Sequence, residues 1–274
     1  MSNTQKRIFS ALVLAFIVGV CLYFGTRTTL LFILVTGVIS IDELFVNFFK
    51  GSRKSVNYLL SHLVLILPFI YFNLIDVSTH FLGVFVNAGL VLNLLLLVYL
   101  FYTPMESNFV VRKLKKYSIA SSLLILLPLM SLASIFQFNK WISLVVVLLL
   151  VNFGMDTGAW FFGKNFGKHK LWPSVSPNKT IEGVIGGALT SAFVGGIAFH
   201  FLFGRMEVKL FIFFAFLGLM SQVGDLIQSK LKRQCEIKDS SALIPGHGGV
   251  YDRIDSLMFL TPFFAVAIKY FYFG

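Results

Sequence analysis

Towards the C-terminal end of the chain, the stretch GLMSQVGDLIQSKLKRQ sets Ser221, Asp225, Gln228, Ser229 and Lys232 three and four residues apart. That spacing lines them along one face of a helix whose other positions are mostly apolar. An acid on so apolar a helix is ordinarily paired, hydrated or bound to a cation. Further on, YDRIDS carries Asp252 and Asp255 three positions apart, which puts both carboxylates on one face if the segment opens a helix. Two acids so close repel each other, and a divalent cation relieves the repulsion. With Asp225 they form a hard, oxygen-rich set suited to Mg²⁺ and phosphate oxygens. The plainer alternatives are an interfacial carboxylate paired with Lys or Arg, for Asp225, and helix N-terminal acids favoured by the dipole, for the other two.

Between these acids lies PGHGG, where Pro245, Gly246, Gly248 and Gly249 make a backbone able to turn sharply and bring amide groups to an anion. His247 is a candidate phosphate donor or proton shuttle, against the blander reading of a hydrogen-bonded loop histidine. Lys230, Lys232, Arg233, Lys238 and Arg253 supply cations for phosphate oxygens in the same stretch. A second polar segment, FGKHKLWPSVSPNKTIEGVIGG, brings Lys164, Lys168, Lys170 and Lys179 beside Ser174, Ser176 and Thr180. Thr180 or Asn178 reads as a helix cap with Glu182 in the first turn, and the same helix start can cradle phosphate. Gly183, Gly186 and Gly187 read as small residues for close helix packing. Asn152 and Asp156 share a face in the preceding span; Asp42 and Glu43 form a third polar spot that no pattern explains. Acids for a metal, with cations and backbone donors for phosphate, suit a displacement at phosphorus.

These groups must be positioned by membrane helices. Of the 274 residues 57% are apolar, 13% are charged and 32 are Phe, which excludes a water-soluble globule. Apolar runs near the length needed to cross a bilayer fall at 8–24, 28–49, 57–75, 79–102, 118–138, 141–162, 181–204, 208–228 and 256–273. The expected fold is therefore an all-α integral membrane protein, a polytopic bundle of about nine spans. The first run follows Lys6 and Arg7 and reads as a signal anchor, because no small-residue cleavage site comes after it. Cys21 and Cys235 show neither metal-ligand spacing nor an obvious disulfide. Alternate connections hold 18 of the 23 Lys and Arg, leaving Arg27, Lys140, Arg205, Lys209 and Lys269 for the other side. This bias predicts a cytoplasmic N-terminus and an active site on the cytoplasmic face. The net charge of +11 is then topology and attraction to anionic headgroups, with no need for nucleic acid. The chain is expected to be one membrane domain, with spans in 1–150 and chemistry-bearing loops in 151–274.

The quoted residues carry a resemblance. SQVGDLIQSKLKRQCEIKDSSALIPGHGGVYDRIDS is similar to the signature of the phosphatidate cytidylyltransferases, also called CDP-diacylglycerol synthases, and DTGAWFFGKNFGKHKLWPSVSPNKTIEG resembles their other characteristic stretch. The likeness is specific over about 154–256; upstream only hydropathy and span count agree. It implies a multi-pass enzyme of the cell membrane that joins CTP and phosphatidate into CDP-diacylglycerol and pyrophosphate with Mg²⁺, and it allows a second cation and a homodimer. The carried-over metal centre is Asp225, Asp252 and Asp255. The resemblance places Asp225, Lys238, Asp239, His247, Asp252 and Arg253 in the catalytic centre, with His247 and Asp239 as positioners rather than bases. Ser176, Lys179, Thr180, Glu182, Lys232, Arg233, Gly246, Gly248 and Gly249 fall to substrate. One departure is Gln228, where the family commonly has Glu; a neutral amide is a poor candidate for an obligatory metal ligand.

Other readings compete. A CTP-dependent polyprenol or dolichol kinase, or a synthase acting on ether-linked lipid, needs the same metal, nucleotide and membrane. The CDP-alcohol phosphotransferases are set aside because their spaced Asp-Gly, Ala-Arg and paired-Asp pattern is absent. A cation-coupled transporter using Asp42, Asp156 and Asp225 predicts mid-span acids and inverted repeats, and leaves the Gly-rich basic loop unexplained.

Overall fold

The structure is a computed structural model that describes residues 3–76 and 79–273. Among the described residues nine helices are long and apolar enough to cross a membrane. They are α1 (Asn3–Phe24), α2 (Thr26–Glu43, continued by a π-helical turn at Leu44–Phe48), α3 (Val56–Ile70, likewise continued at Tyr71–Ile75), α4 (Thr79–Tyr102), α7 (Leu123–Ser134, which forms the span Ser118–Gln137 together with the helical turn before it and a 3-10 turn after it), α8 (Trp141–Phe166), α9 (Ile181–Phe203), α10 (Val208–Gln234) and α11 (Tyr251–Phe273). Two short helices, α5 (Phe109–Lys116) and α6 (Ser118–Ser121), lead into α7. All nine expected spans are present, because a continuous helix satisfies its own backbone where lipid offers no partner. Large side chains such as Phe16 and Phe201 stay exposed, as an outer wall against lipid requires.

Two helices run past the bounds of their apolar runs, as the shared face of Ser221 to Lys232 requires. Helix α10 continues beyond 228 to Gln234, and α11 begins at Tyr251 instead of 256. Both spans therefore carry their polar turns as helix. The segment expected to be loop contains an antiparallel hairpin, β1 (Lys170–Trp172) and β2 (Ser176–Thr180), pairing Lys170 with Thr180 and Trp172 with Ser176. Pro173 and Pro177 argue against a strand in sequence, but this ribbon has two free edges, so the missing N–H groups interrupt no wider sheet.

The core forms around three apolar clusters. One joins α2, α3, α4 and α7 and takes in Leu231, Tyr251 and Met258 from α10 and α11, so the two halves of the chain share it. A second joins α8, α9, α10 and α11. The third lies under the hairpin, where fully buried Val175 packs with Leu226, Ile227, Tyr99 and Leu100. Helices α8 and α9 pack closely through Gly183 and Gly187, where a Cβ would lie 2.7 Å from the carbonyls of Ala159 and Met155 respectively.

Candidate active site

The polar stripe of α10 serves three neighbours. Its deepest member, Ser221, donates to Asn152 Oδ1 on α8 at 2.8 Å. One turn on, Asp225 pairs with Lys179 of β2 at 2.5 Å and accepts from Ser229 at 3.2 Å. Lys232 pairs with Asp252 of α11 at 2.8 Å, with the Lys and Asp side chains 12% and 3% exposed. Thus α10 is clamped to the hairpin on one side and to α11 on the other. The close approach of α10 to α11 depends on Gly224, where a Cβ would stand 2.5 Å from Phe259 Cβ and 3.1 Å from the Asp255 carbonyl. Asp225 is thereby brought within electrostatic reach of both Asp255 and Asp156.

Asp252 organises the loop before its own helix. Its Oδ2 accepts from Ser240 N at 2.7 Å and Gly249 N at 3.0 Å and shares the single Ser240 hydroxyl proton, 2.9 Å away, with Glu43, while Oδ1 accepts from Lys232. Gly246 and Gly248 adopt φ of 77° and 80°, left-handed conformations that a side chain would strain. The loop also rests on α1: Arg7 Nε donates to the Gly246 carbonyl at 3.0 Å, and Ser10 Oγ lies 2.6 Å from His247 Nδ1. Burial and the nearby Arg253 and Arg7 hold the His247 imidazole below the ordinary histidine range. Arg233, Lys238, Asp239 and Arg253 are exposed around this loop.

The hairpin contributes Lys179 and the helix start. Of the two cap candidates, Thr180 rather than Asn178 caps α9, accepting from Gly183 N at 3.1 Å. Glu182 is engaged by His169, whose Nδ1 lies 2.6 Å from its carboxylate. Ser176 is half-buried on β2.

One expected cation is elsewhere. Lys230 is fully buried, and its ammonium donates to the carbonyls of Tyr99 at 3.1 Å, Leu100 at 2.8 Å and Thr103 at 2.5 Å, with the Tyr99 ring at 4.9 Å and Trp172 at 5.6 Å. It terminates α4, whose last carbonyls have no helical partner, and does not reach for phosphate. Gln228, the departure from the family pattern, is 3% exposed and donates to the Tyr251 carbonyl at 3.1 Å. Its Oε1 has no partner among the described residues.

Sequence reasoning left Asp42 and Glu43 without a role, and the structure supplies both. Asp42 takes a bidentate contact from Arg53 at 2.8 Å and the Tyr58 hydroxyl at 2.8 Å, bracing the α2–α3 turn. Glu43, 2% exposed, accepts from Ser241 Oγ at 2.6 Å, Ser240 Oγ at 2.8 Å, Val250 N at 2.9 Å and Tyr251 N at 2.8 Å. An unpaired acid beside a helix terminus in an apolar span was the one available signal.

Residues 5–271 match the model of the cytidylyltransferase family. The chain belongs to that family. Proteins named phosphatidate cytidylyltransferase from Staphylococcus aureus (strain COL) and Staphylococcus haemolyticus are each 44% identical to it, over 125 and 119 residues. The first match covers 45% of this chain and 48% of the relative, the second 43% and 46%. A protein of the same name from Staphylococcus epidermidis is 42% identical over 125 residues, again 45% of this chain and 48% of the relative. The chain thus matches about half the length of these curated relatives.

Proposed function

We propose that this chain transfers the cytidylyl group of CTP to phosphatidate, yielding CDP-diacylglycerol and pyrophosphate at the cytoplasmic face of the cell membrane. The observation that carries this reading is the convergence of two Lys–Asp pairs, Lys179–Asp225 and Lys232–Asp252, from three separate elements at one end of the bundle. The relatives' name supplies the substrates, and the excess of Lys and Arg in the connections at that end supplies the orientation.

The residues fit a hard cation. Among the described residues no three His, Cys, Asp or Glu side chains are gathered into a ready-made metal site. The donor chemistry is nonetheless right: Asp225 and Asp255 are carboxylates within electrostatic reach of each other, and Asp252 Oδ1, which accepts from Lys232, keeps a lone pair. Asp225, Asp255 and Asp252 would hold Mg²⁺, with Asp156 beside them. When bound, Mg²⁺ neutralises polyphosphate charge and favours departure of pyrophosphate.

The chain's own side chains orient the reactants. Lys179 and Lys232 sit at the site as counter-ions of the acids, placed to exchange a carboxylate for a phosphate oxygen. Exposed Arg233, Lys238 and Arg253 extend the cationic surface toward the soluble nucleotide. A phosphatidate phosphate oxygen attacks the α-phosphorus of CTP; one P–O bond forms, the bond to the β-phosphate oxygen breaks, and pyrophosphate leaves. The attacking oxygen is already ionised near neutral pH, so no side chain need remove a proton. A small, mostly apolar cleft between α4, α5, α7, α10 and α11 reaches Asp255 and Gln228.

The test is formation of CDP-diacylglycerol and pyrophosphate by the purified chain in mild detergent, with and without Mg²⁺ and beside Asp225→Asn. Mg²⁺-dependent product from phosphatidate that disappears in the variant supports the proposal. Turnover of CTP with a polyprenol but not with phosphatidate overturns it.

A further inference from the structure

We infer that Glu43, in the N-terminal half of the chain, is a positioning residue of the active site that sets the conformation of the 239–251 loop. The inference rests on the proposed cytidylyl transfer for its kinetic part and on geometry for the rest. The end of α2 acts as a seat for this loop. Glu43 accepts from Ser240, Ser241, Val250 and Tyr251; Asn47, one turn on, donates to the Ser240 carbonyl at 2.6 Å; and Phe48 meets the Tyr251 ring edge-on at 5.8 Å between centroids.

The donor set explains why the residue is an acid. Each oxygen faces one backbone N–H, Val250 at Oε1 and Tyr251 at Oε2, and a backbone N–H cannot turn round to become an acceptor. An amide would have to aim its own N–H₂ at one of them. Ser240 then passes the constraint to the reacting centre, its hydroxyl lying 2.8 Å from Glu43 and 2.9 Å from Asp252. The fit leaves no slack, since a Cβ on Gly249 would collide with both Ser240 Oγ and the Glu43 carboxylate. Glu43 meets no reacting group itself in this arrangement; it acts through Ser240 and the start of α11 on Asp252.

The experiment uses the 274-residue chain with Glu43→Gln and Ser240→Ala, measuring kcat and KM with CTP, phosphatidate and Mg²⁺, and hydrogen exchange along the chain. Losing charge-assisted hydrogen bonds at the loop is expected to lower kcat roughly ten- to a hundredfold in Glu43→Gln. KM for phosphatidate should hold, and exchange should quicken in 239–251 but not in α8 or α9. Ser240→Ala should move both readouts the same way by less. Unchanged kcat with unchanged loop exchange overturns the inference, as does faster exchange spread evenly over the chain with kcat per folded molecule intact. If the unaltered chain makes no CDP-diacylglycerol, the functional reading fails, and loop-confined exchange in Glu43→Gln still decides the positioning role. If Glu43→Gln does not fold, the same readouts on Ser240→Ala decide it.

Discussion

Replacing Asp252 by asparagine exchanges one carboxylate oxygen for an amide nitrogen and tests the charge pairing at the centre of the site. Two backbone N–H groups that cannot become acceptors converge on Oδ2, so the amide oxygen of the variant must stay there, and its N–H₂ group then faces the Lys232 ammonium 2.8 Å away. The Lys232 side chain, 12% exposed, loses its counter-ion and meets a donor instead. Removing one partner of a buried ion pair costs about 3–5 kcal/mol, roughly a hundred- to a few-thousandfold in the folded-to-unfolded ratio. Lys232→Gln should cost less, because Asp252 keeps its two backbone N–H donors and the adjacent Ser240 hydroxyl. The double variant should recover about 1 kcal/mol or more relative to the sum of the single losses. The assay is denaturant unfolding in mixed lipid–detergent micelles, with product formation followed in parallel. Activity should remain low in the double variant although stability returns. Strictly additive losses would refute the pairing argument, since they would mean that Lys232 does not depend on Asp252.

Three further outcomes are expected. Lys230→Met, which removes the ammonium from three carbonyls at the end of α4, should destabilise the chain by about 3 kcal/mol in the same unfolding assay. It should leave KM for CTP unchanged, whereas loss of a phosphate-binding lysine would raise it. Gly248→Ala puts a Cβ at φ 80° and 2.6 Å from Asp252 Oδ2, so kcat should fall at least about tenfold with the spans intact by circular dichroism. His247 should titrate below the ordinary value of about 6.5 by ring-carbon NMR in detergent, and Arg7→Gln should move it back up. Because the folded-state pKa is depressed, the neutral ring's contribution to stability is complete above about pH 6.5 and is lost as pH falls through the folded-state value.

Much of this protein is determined by sequence alone, because a bilayer imposes a fixed length on every apolar helix and penalises charge within it. Nine spans, polar turns gathered at one end and acids beside a Gly-rich basic loop follow directly from that rule. A helical start at YDRIDS and a cap at Thr180 or Asn178 are open readings of the sequence, since both depend on neighbours within a turn, and the structure selects Tyr251 and Thr180. What tertiary structure alone decided are relations between distant segments. Lys230 and Lys232 stand two positions apart, yet at about 100° per residue they leave α10 on different faces. One ends buried among α4 carbonyls and the other on Asp252. The hairpin forms despite two prolines because Val175 has a buried seat between α4 and α10. Glu43 and Ser240 lie 197 residues apart, and only the packing of α2 under the α10–α11 loop brings an acid from one end of the chain to orient an aspartate at the other.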